Sequence, residues 1–381
     1  MHAVFVAMPE YGHLYPLMPL ASAFRDAGHL VTFATGPEFV DRLRVLGFEA
    51  HPAGASAEWC WREAARSHPE LAAGQWRLTA PMLGETMAGR LARELVPLLS
   101  ALDPDLIVYE ASSLGAAVAA GVARIPAACL SAGRAWPAEL GHAVEGWLRG
   151  VWQAHGAADP LADVWWGDAY IDIWPSSLQD SSVAGRAGRL SMRPRLWSAP
   201  DAIVPVWVTR PRARRLVYLS LGTYSCDFDV MRAAVAGLAS ADVDVLAVVG
   251  PRFEPSDLGR VPDTVHVERF VDQAAVLAHV DAAVHHGGSG TALGALTFAL
   301  PQLLLPYGAD QTLNAEVLES MGGGIHVSRG RGTPEAVADA AQSLLSNPSY
   351  RAAALQVSRE LAAMPEPDEV VPALVALARN R

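Results

Sequence analysis

The sequence predicts an α/β protein of two doubly wound parallel-sheet domains, on three observations. At 381 residues and 51% hydrophobic, the chain exceeds one ordinary hydrophobic core. Buried-strand patterns alternate with helical patterns in two separate series, the signature of parallel strands joined by crossover helices. Between the series, from about 135 to 211, the rhythm weakens and prolines and tryptophans accumulate, which suggests a connection.

The first series opens with the apolar strand H2-A-V-F-V-A7 and a glycine-bearing turn. Leu14, Leu17, Leu20, Ala21 and Phe24 then recur at helical spacing until Gly28, and L30-V-T-F-A-T35 reads as the next strand. D105-L-I-V-Y109 reads as another, ending at Glu110, with a small-residue helix from about 114 to 123. The second series has strands at L216-V-Y-L-S-L221, V243-D-V-L-A-V-V249, V265-H-V-E-R-F270 and A282-A-V-H-H286. A helix from Ser289 to about 299 and the strand Q302-L-L-L-P306 follow. The segment after 364 breaks at proline and continues as an apolar helical pattern, which alone suggests a helix packed on its own domain.

Composition excludes several functions. A net charge of −11 with pI near 5.5 argues against nucleic-acid or anionic-membrane partners, which are held by accumulated positive charge. All 29 basic residues are arginine, so lysine Schiff-base chemistry, pyridoxal phosphate and a P-loop are excluded. Cys60, Cys129 and Cys226 are far apart, which suggests neither a disulfide framework nor structural zinc and suits a reducing cytoplasm. No targeting or membrane-spanning pattern is evident: the longest apolar run, about 116 to 130, is broken by Arg124 and Pro126. All eleven tryptophans precede Arg210, which suggests an apolar pocket in the first domain beside ordinary core.

Two adjacent histidines precede a glycine cluster in H285-H-G-G-S-G-T291. Neighbouring strand residues face opposite ways, so His285 and His286 cannot share a metal. The stretch misses both G-x-S-x-G and G-x-G-x-x-G, which weakens hydrolase and dehydrogenase readings. What remains is an anion site or a tight packed turn. In the first reading the backbone N–H groups of Ser289, Gly290 and Thr291, close-approach Gly288 and the His286 ring face a phosphate, helped by the helix dipole. His13, after the first strand, suits general-base work at the edge where open α/β sheets bind ligands. Glu110 ends a different strand and can pair with it, or it is a solvated loop residue.

His13, H286-G-G-S-G-T291 and P306-Y-G-A-D-Q-T-L-N-A315, taken in order, resemble family 1 glycosyltransferases of the GT-B fold. The resemblance is closest to the antibiotic-tailoring group that includes the calicheamicin glycosyltransferases, and it covers nearly the whole chain. It implies two Rossmann-like domains facing a central cleft: an acceptor-binding domain over 1–200 and a nucleotide-sugar-binding domain over 201–363. A helix over 364–381 would pack back on the first domain. It implies His13 as general base with Glu110 where relatives place an aspartate. His286, Gly288, Ser289, Gly290 and Thr291 would bind diphosphate, with Gly222 and Thr223 as a companion loop. Asp310 and Gln311 would hold sugar hydroxyls, and Phe270 with Val271 stands where relatives stack on the base. Plant relatives that use UDP-sugars carry a glutamate eight residues after the phosphate histidine; here that position is Gly294, which favours a dTDP donor lacking the 2′-hydroxyl.

The expected activity is inverting transfer of a deoxysugar from a dTDP-sugar co-substrate to a hydroxyl of a large apolar natural product, antibiotic, enediyne or polyketide. No cofactor and no metal are expected. A homodimer is compatible with the sequence. A sugar-nucleotide epimerase of the same fold and a catalytically silent ligand-binding helper are the alternatives.

Overall fold

The computed structural model describes residues 1–71, 75–131, 133–156, 164–199, 202–223, 227–308 and 310–379. Cys226 and the expected boundary at 200/201 lie outside them. The chain divides into two compact units: 1–173, 179–192 and 365 onward form the first, and 174–178 with 193–364 the second.

The first unit holds a seven-stranded, all-parallel sheet. Its strands are β1 (His2–Val6), β2 (Leu30–Thr35), β3 (Glu49–Pro52), β4 (Leu106–Glu110), β5 (Ala127–Leu130), β6 (Ala169–Asp172) and β7 (Arg189–Ser191). They lie in the order β3-β2-β1-β4-β5-β6-β7. The strand order reverses between β1 and β4, which pair directly with Val6 opposite Tyr109. Both sheet faces are covered, so the strands read as near-continuous apolar runs. On one side Phe5 meets Phe24 of helix Met18–Asp26 edge-on, with ring centroids 5.7 Å apart. On the other, helices Ala88–Leu102 and Leu114–Ala123 approach so closely that a Cβ on Gly115 would lie 2.4 Å from the Ala88 carbonyl oxygen. Glycine is required there.

The region from 135 to 211 is more than a connection. It contains a 17-residue helix, Ala138–Ala154, and strands β6 and β7. Glycines and tryptophans blur the helix's periodicity, and strands of four and three residues are too short to alternate visibly. Trp59, Trp61, Trp136, Trp147, Trp165 and Trp166 pack around the apolar core of this unit, but Trp174, Trp197 and Trp207 belong to the second unit, which therefore is not tryptophan-free. The final helix, Pro367–Arg379, belongs to the first unit and packs on Met18–Asp26 through a face that includes Val370, Val371 and Leu374.

The second unit repeats the plan with six parallel strands: β8 (Leu216–Ser220), β9 (Asp244–Val248), β10 (Val265–Glu268), β11 (Ala282–His285), β12 (Gln302–Leu304) and β13 (Gly324–His326). Their order is β10-β9-β8-β11-β12-β13, with the reversal between β8 and β11. Alternate residues of β8 enter two apolar clusters, Val217 and Leu219 one and Leu216 and Tyr218 the other, as period-two geometry requires. No helix among the described residues is long and apolar enough to cross a membrane.

Candidate functional site

Each sheet presents chemistry at the carboxyl edge beside its reversal, where crossovers diverge and leave a crevice. In the first unit the chain leaves β1 through Pro9 and Glu10 into a four-residue helix, Tyr11–Leu14. Tyr11 anchors this turn, edge-on to Tyr15 at 5.1 Å and Phe39 at 5.0 Å, with the Arg42 guanidinium 5.4 Å from its ring centroid. The helix thereby places His13 Nδ1 3.0 Å from Oε2 of Glu110, the last residue of β4.

Glu110 is fully buried. Besides His13, its carboxylate accepts hydrogen bonds from the Ser112 N–H (2.8 Å), the Ser113 hydroxyl (2.7 Å) and the Met8 N–H (3.3 Å). Burial works to raise its pKa, yet the charge and hydrogen bond of His13, with the Ser113 and Ser112 bonds, outweigh it and hold the group below the usual range. An ionised carboxylate only accepts, so His13 Nδ1 carries the proton and donates it. In the neutral ring Nε2 is then the unprotonated nitrogen. His13 keeps 27% of its side-chain surface exposed, so the arrangement is a reachable base oriented by an unreachable anion.

In the second unit, Ser220 at the end of β8 lies opposite His285 at the end of β11. The two following turns are therefore neighbours. His285 is wholly buried: its Nδ1 accepts from the Gly287 N–H at 3.0 Å, so Nε2 donates to Gln302 Oε1 at 2.7 Å. Burial pushes this imidazole down to about 4, against the opposing Gln302 bond. It is a neutral structural residue that pins the turn.

His286 points elsewhere and stacks on Tyr307, with centroids 5.8 Å apart, while the Tyr307 hydroxyl donates to the Leu221 carbonyl at 2.7 Å. Burial first, and His285 second, lower the His286 pKa. The Ser220 backbone lies near enough to favour the protonated ring, yet Nδ1 has no partner of normal hydrogen-bond geometry. Glycines frame the ring: a Cβ on Gly222 (φ +100°) would approach it to 3.1 Å, and one on Gly288 would sit 2.4 Å from Nε2. Gly288 caps helix Ser289–Thr297, whose first N–H groups, those of Ser289, Gly290 and Thr291, have no acceptor within the helix. Thr223 lies on the companion turn. The result is an anion-binding geometry of backbone donors beside a neutral ring.

Asp310 and Gln311 open helix Gln311–Ser320 directly beside this turn. Ser289 Oγ donates to Asp310 Oδ2 at 3.1 Å, and Gln311 Oε1 accepts the Tyr307 and Gly308 N–H groups at 3.1 and 3.2 Å. Phe270 is 40% exposed after β10, whereas the Val271 side chain is spent in the apolar cluster. Gly294 lies under Leu196 and Leu277: a Cβ there would be 3.0 Å from Leu196 and 3.1 Å from Leu277.

Sequence reasoning missed four residues here. Gln302 and Tyr307 fix the two histidines, Leu196 covers Gly294, and Asn314 bonds to Gly287, Ser289 and Asp310. Only Asn314 carried a signal, since i and i+4 on a helix share a face and it follows Asp310 by four. A cavity of about 380 Å³ lined by Arg210, Arg212, Arg214, Arg215 and Asp281 lies at the opposite edge, where β8 and β11 begin. Three of its guanidinium groups are engaged, Arg212 with the Val208 and His279 carbonyls, Arg214 with Asp242 and Arg215 with the Leu345 carbonyl. Among the described residues no group of three or more His, Cys, Asp or Glu side chains is arranged to hold a metal ion.

Comparison with known proteins gives this geometry its family. The N-terminal and C-terminal domain models described as Erythromycin biosynthesis protein CIII-like match residues 22–222 and 232–377. A 3-alpha-mycarosylerythronolide B desosaminyl transferase of Saccharopolyspora erythraea is 28% identical, covering 100% of this chain and 99% of that protein. TDP-daunosamine transferase DnrS of Streptomyces peucetius is 30% identical, covering 100% and 98%. The glycosyltransferase VinC in complex with DTDP shares the fold at TM-score 0.81 and 24% identity, covering 100% of both chains. With both domain models matched in order and full-length relatives on each side, the chain belongs to the Erythromycin biosynthesis protein CIII-like family and is a GT-B glycosyltransferase of the antibiotic-tailoring group.

Proposed function

We propose that the protein transfers a deoxysugar from a dTDP donor to a hydroxyl of a large apolar natural product, with inversion and with His13 as general base. The observation that carries the reading is the 3.0 Å bond from His13 to the buried, multiply hydrogen-bonded Glu110. Such a pair fixes the ring so that Nε2 takes the acceptor proton, and it stabilises the imidazolium that results. The acceptor oxygen forms its bond to the anomeric carbon as the bond from that carbon to the diphosphate oxygen breaks. The electron pair leaves with dTDP. One displacement of this kind inverts the centre.

The departing diphosphate is assigned to the N–H groups of Ser289, Gly290 and Thr291, the helix dipole, His286, and the companion turn at Gly222 and Thr223. Preorganised donors stabilise charge that grows during the step, so the scheme calls for no metal. Phe270 offers an exposed ring for the base, and Asp310 and Gln311 are assigned to the sugar.

Two observations support dTDP. Gly294 is covered by Leu196 and Leu277, so a carboxylate for a 2′-hydroxyl has no room there unless Leu196 moves. VinC, of the same fold, is described in complex with DTDP. The relatives' names, a desosaminyl transferase acting on a mycarosylerythronolide and a TDP-daunosamine transferase, support a TDP-activated sugar and a natural-product acceptor. The activity is assigned to a reducing cytoplasm, which the widely spaced cysteines suit.

The test is calorimetry of dTDP and UDP against the full chain with a chelator present, followed by transfer assays with dTDP-deoxysugars. Tighter dTDP binding and a product of inverted anomeric configuration are expected. Equal or UDP-favouring affinity overturns the donor assignment, and retained configuration overturns the mechanism.

A further inference from the structure

The buried Asn314 amide is an oddity of the second unit. Its side chain is inaccessible to solvent, and Nδ2 lies 2.9 Å from the Gly287 carbonyl oxygen, 3.0 Å from Asp310 Oδ2 and 3.1 Å from Ser289 Oγ. Its other polar atom, Oδ1, is buried without any partner. Turning the amide over would set Oδ1 against a carbonyl and a carboxylate, so the orientation is fixed by repulsion as well as by bonding. A buried acceptor left unmade is costly and calls for a reason.

The arithmetic of donors supplies one. Asp310 Oδ2 receives two donors, the Ser289 hydroxyl at 3.1 Å and Asn314 Nδ2. Ser289 also belongs to the turn whose N–H groups face the anion site. A hydroxyl has one proton, so Ser289 cannot serve Asp310 and a bound diphosphate together. Asn314 Nδ2 has two protons, enough for its two nearest acceptors, the Gly287 carbonyl and Asp310 Oδ2, and it is shut away from any ligand that could draw them off.

We propose that Asn314 is a positioning residue: it holds Asp310 in place for the sugar when the diphosphate draws the Ser289 hydroxyl away. The amide makes the sugar end of the donor site independent of how the phosphate end is engaged. This rests on the donor reading above, with Asp310 on the sugar and Ser289 on the diphosphate.

The experiment is calorimetry on the full chain with two probes, dTDP and dTDP-glucose, and the readout is the ratio of their affinities. In Asn314→Ala, dTDP affinity is expected to stay within about threefold, while the ratio shifts against dTDP-glucose by about tenfold or more, the scale of one charge-assisted hydrogen bond. A general loosening of the fold moves both affinities together and leaves the ratio alone. Ser289→Ala is the second variant, and it decides the matter should Asn314→Ala not fold. There dTDP binding weakens but the ratio stays within about twofold to threefold, because Asn314 still bonds Asp310.

The proposal is overturned if Asn314→Ala leaves the ratio unchanged, if Ser289→Ala shifts it as far as the asparagine variant is expected to, or if the native chain binds dTDP but not dTDP-glucose. A native chain that binds no dTDP overturns the donor reading instead.

Discussion

The two sheets put different chemistry at the same topological place. Beside the reversal of the first sheet, β1 gives way to a short helix that projects a side chain, and the neighbouring strand ends in a buried carboxylate. Beside the reversal of the second, β11 gives way to two glycines that bring backbone N–H groups forward, and both nearby histidines are held neutral by burial. In the proposed reaction the first edge changes its protonation state and the second does not. A proton acceptor needs a side chain whose pKa is set by a partner, whereas an anion held through a reaction is better served by fixed dipoles that carry no titrating charge. Residues after a strand thus say more about the task than the strand does.

The contrast can be broken most sharply at His13. His13→Ala is expected to lower turnover by about 10² to 10⁴-fold, while dTDP affinity stays within a few-fold; a matched loss of both in kinetics and calorimetry would mean that the edges do not divide the work. Glu110→Gln comes next. It keeps the shape but offers an amide N–H where Ser112, Ser113 and Met8 need an acceptor, and turnover should fall by roughly 10²-fold. Glu110 also marks the first edge in acid: its folded pKa lies below the ordinary 4.5, so its pairing stabilises above that value and is lost as pH falls through the folded one.

The second edge has its own pH signature. Burial lowers the His285 pKa from the ordinary 6.5 to about 4 in the fold, so the unfolded chain binds more protons between those values and stability falls as pH drops through that window. The full loss is about 3 kcal/mol. Denaturation midpoints from pH 7 to 4 should show it, and His285→Asn should flatten the slope; an unchanged slope would mean the ring is not neutral in the fold. The smallest expected effect is Gly288→Ala. Its Cβ would displace the His286 ring, and dTDP affinity should fall about tenfold, with turnover of bound donor lowered by no more than a similar factor. A turnover defect instead would blur the distinction.

Much of this was legible in the sequence because the informative residues are local. Apolar runs that each contain valine announced β1, β2, β4, β8, β9 and β11, and the His-Gly-Gly turn with its hydroxyl residues stands in one continuous run. β5 was not visible, since A127-A-C-L130 has no β-branched residue, and neither was β13, which is three residues opening on glycine. At the site, the pairing of His13 with Glu110 could be suspected because His13 follows one strand and Glu110 ends another of the same sheet. The 3.0 Å contact could not, because it depends on a helix of only four residues tilting the ring across 97 positions of chain. Asn314 escaped for the opposite reason. It stood inside a recognised stretch, but its meaning comes from Gly287, on another element.

The return of the last helix to the first unit bears on how the protein is made. The chain passes between units at 173/174, 178/179, 192/193 and 364/365, so the first unit is discontinuous. Helix Met18–Asp26 leaves the ribosome long before the apolar face that packs on it, with Val370, Val371 and Leu374. The second unit has all its strands and can close first, while the first waits with an uncovered flank until that helix has been made. Contacts so distant in sequence form slowly. Among nascent chains the half that emerges first is therefore the half completed last, and a stop codon near 365 should yield a folded second unit attached to an aggregation-prone first.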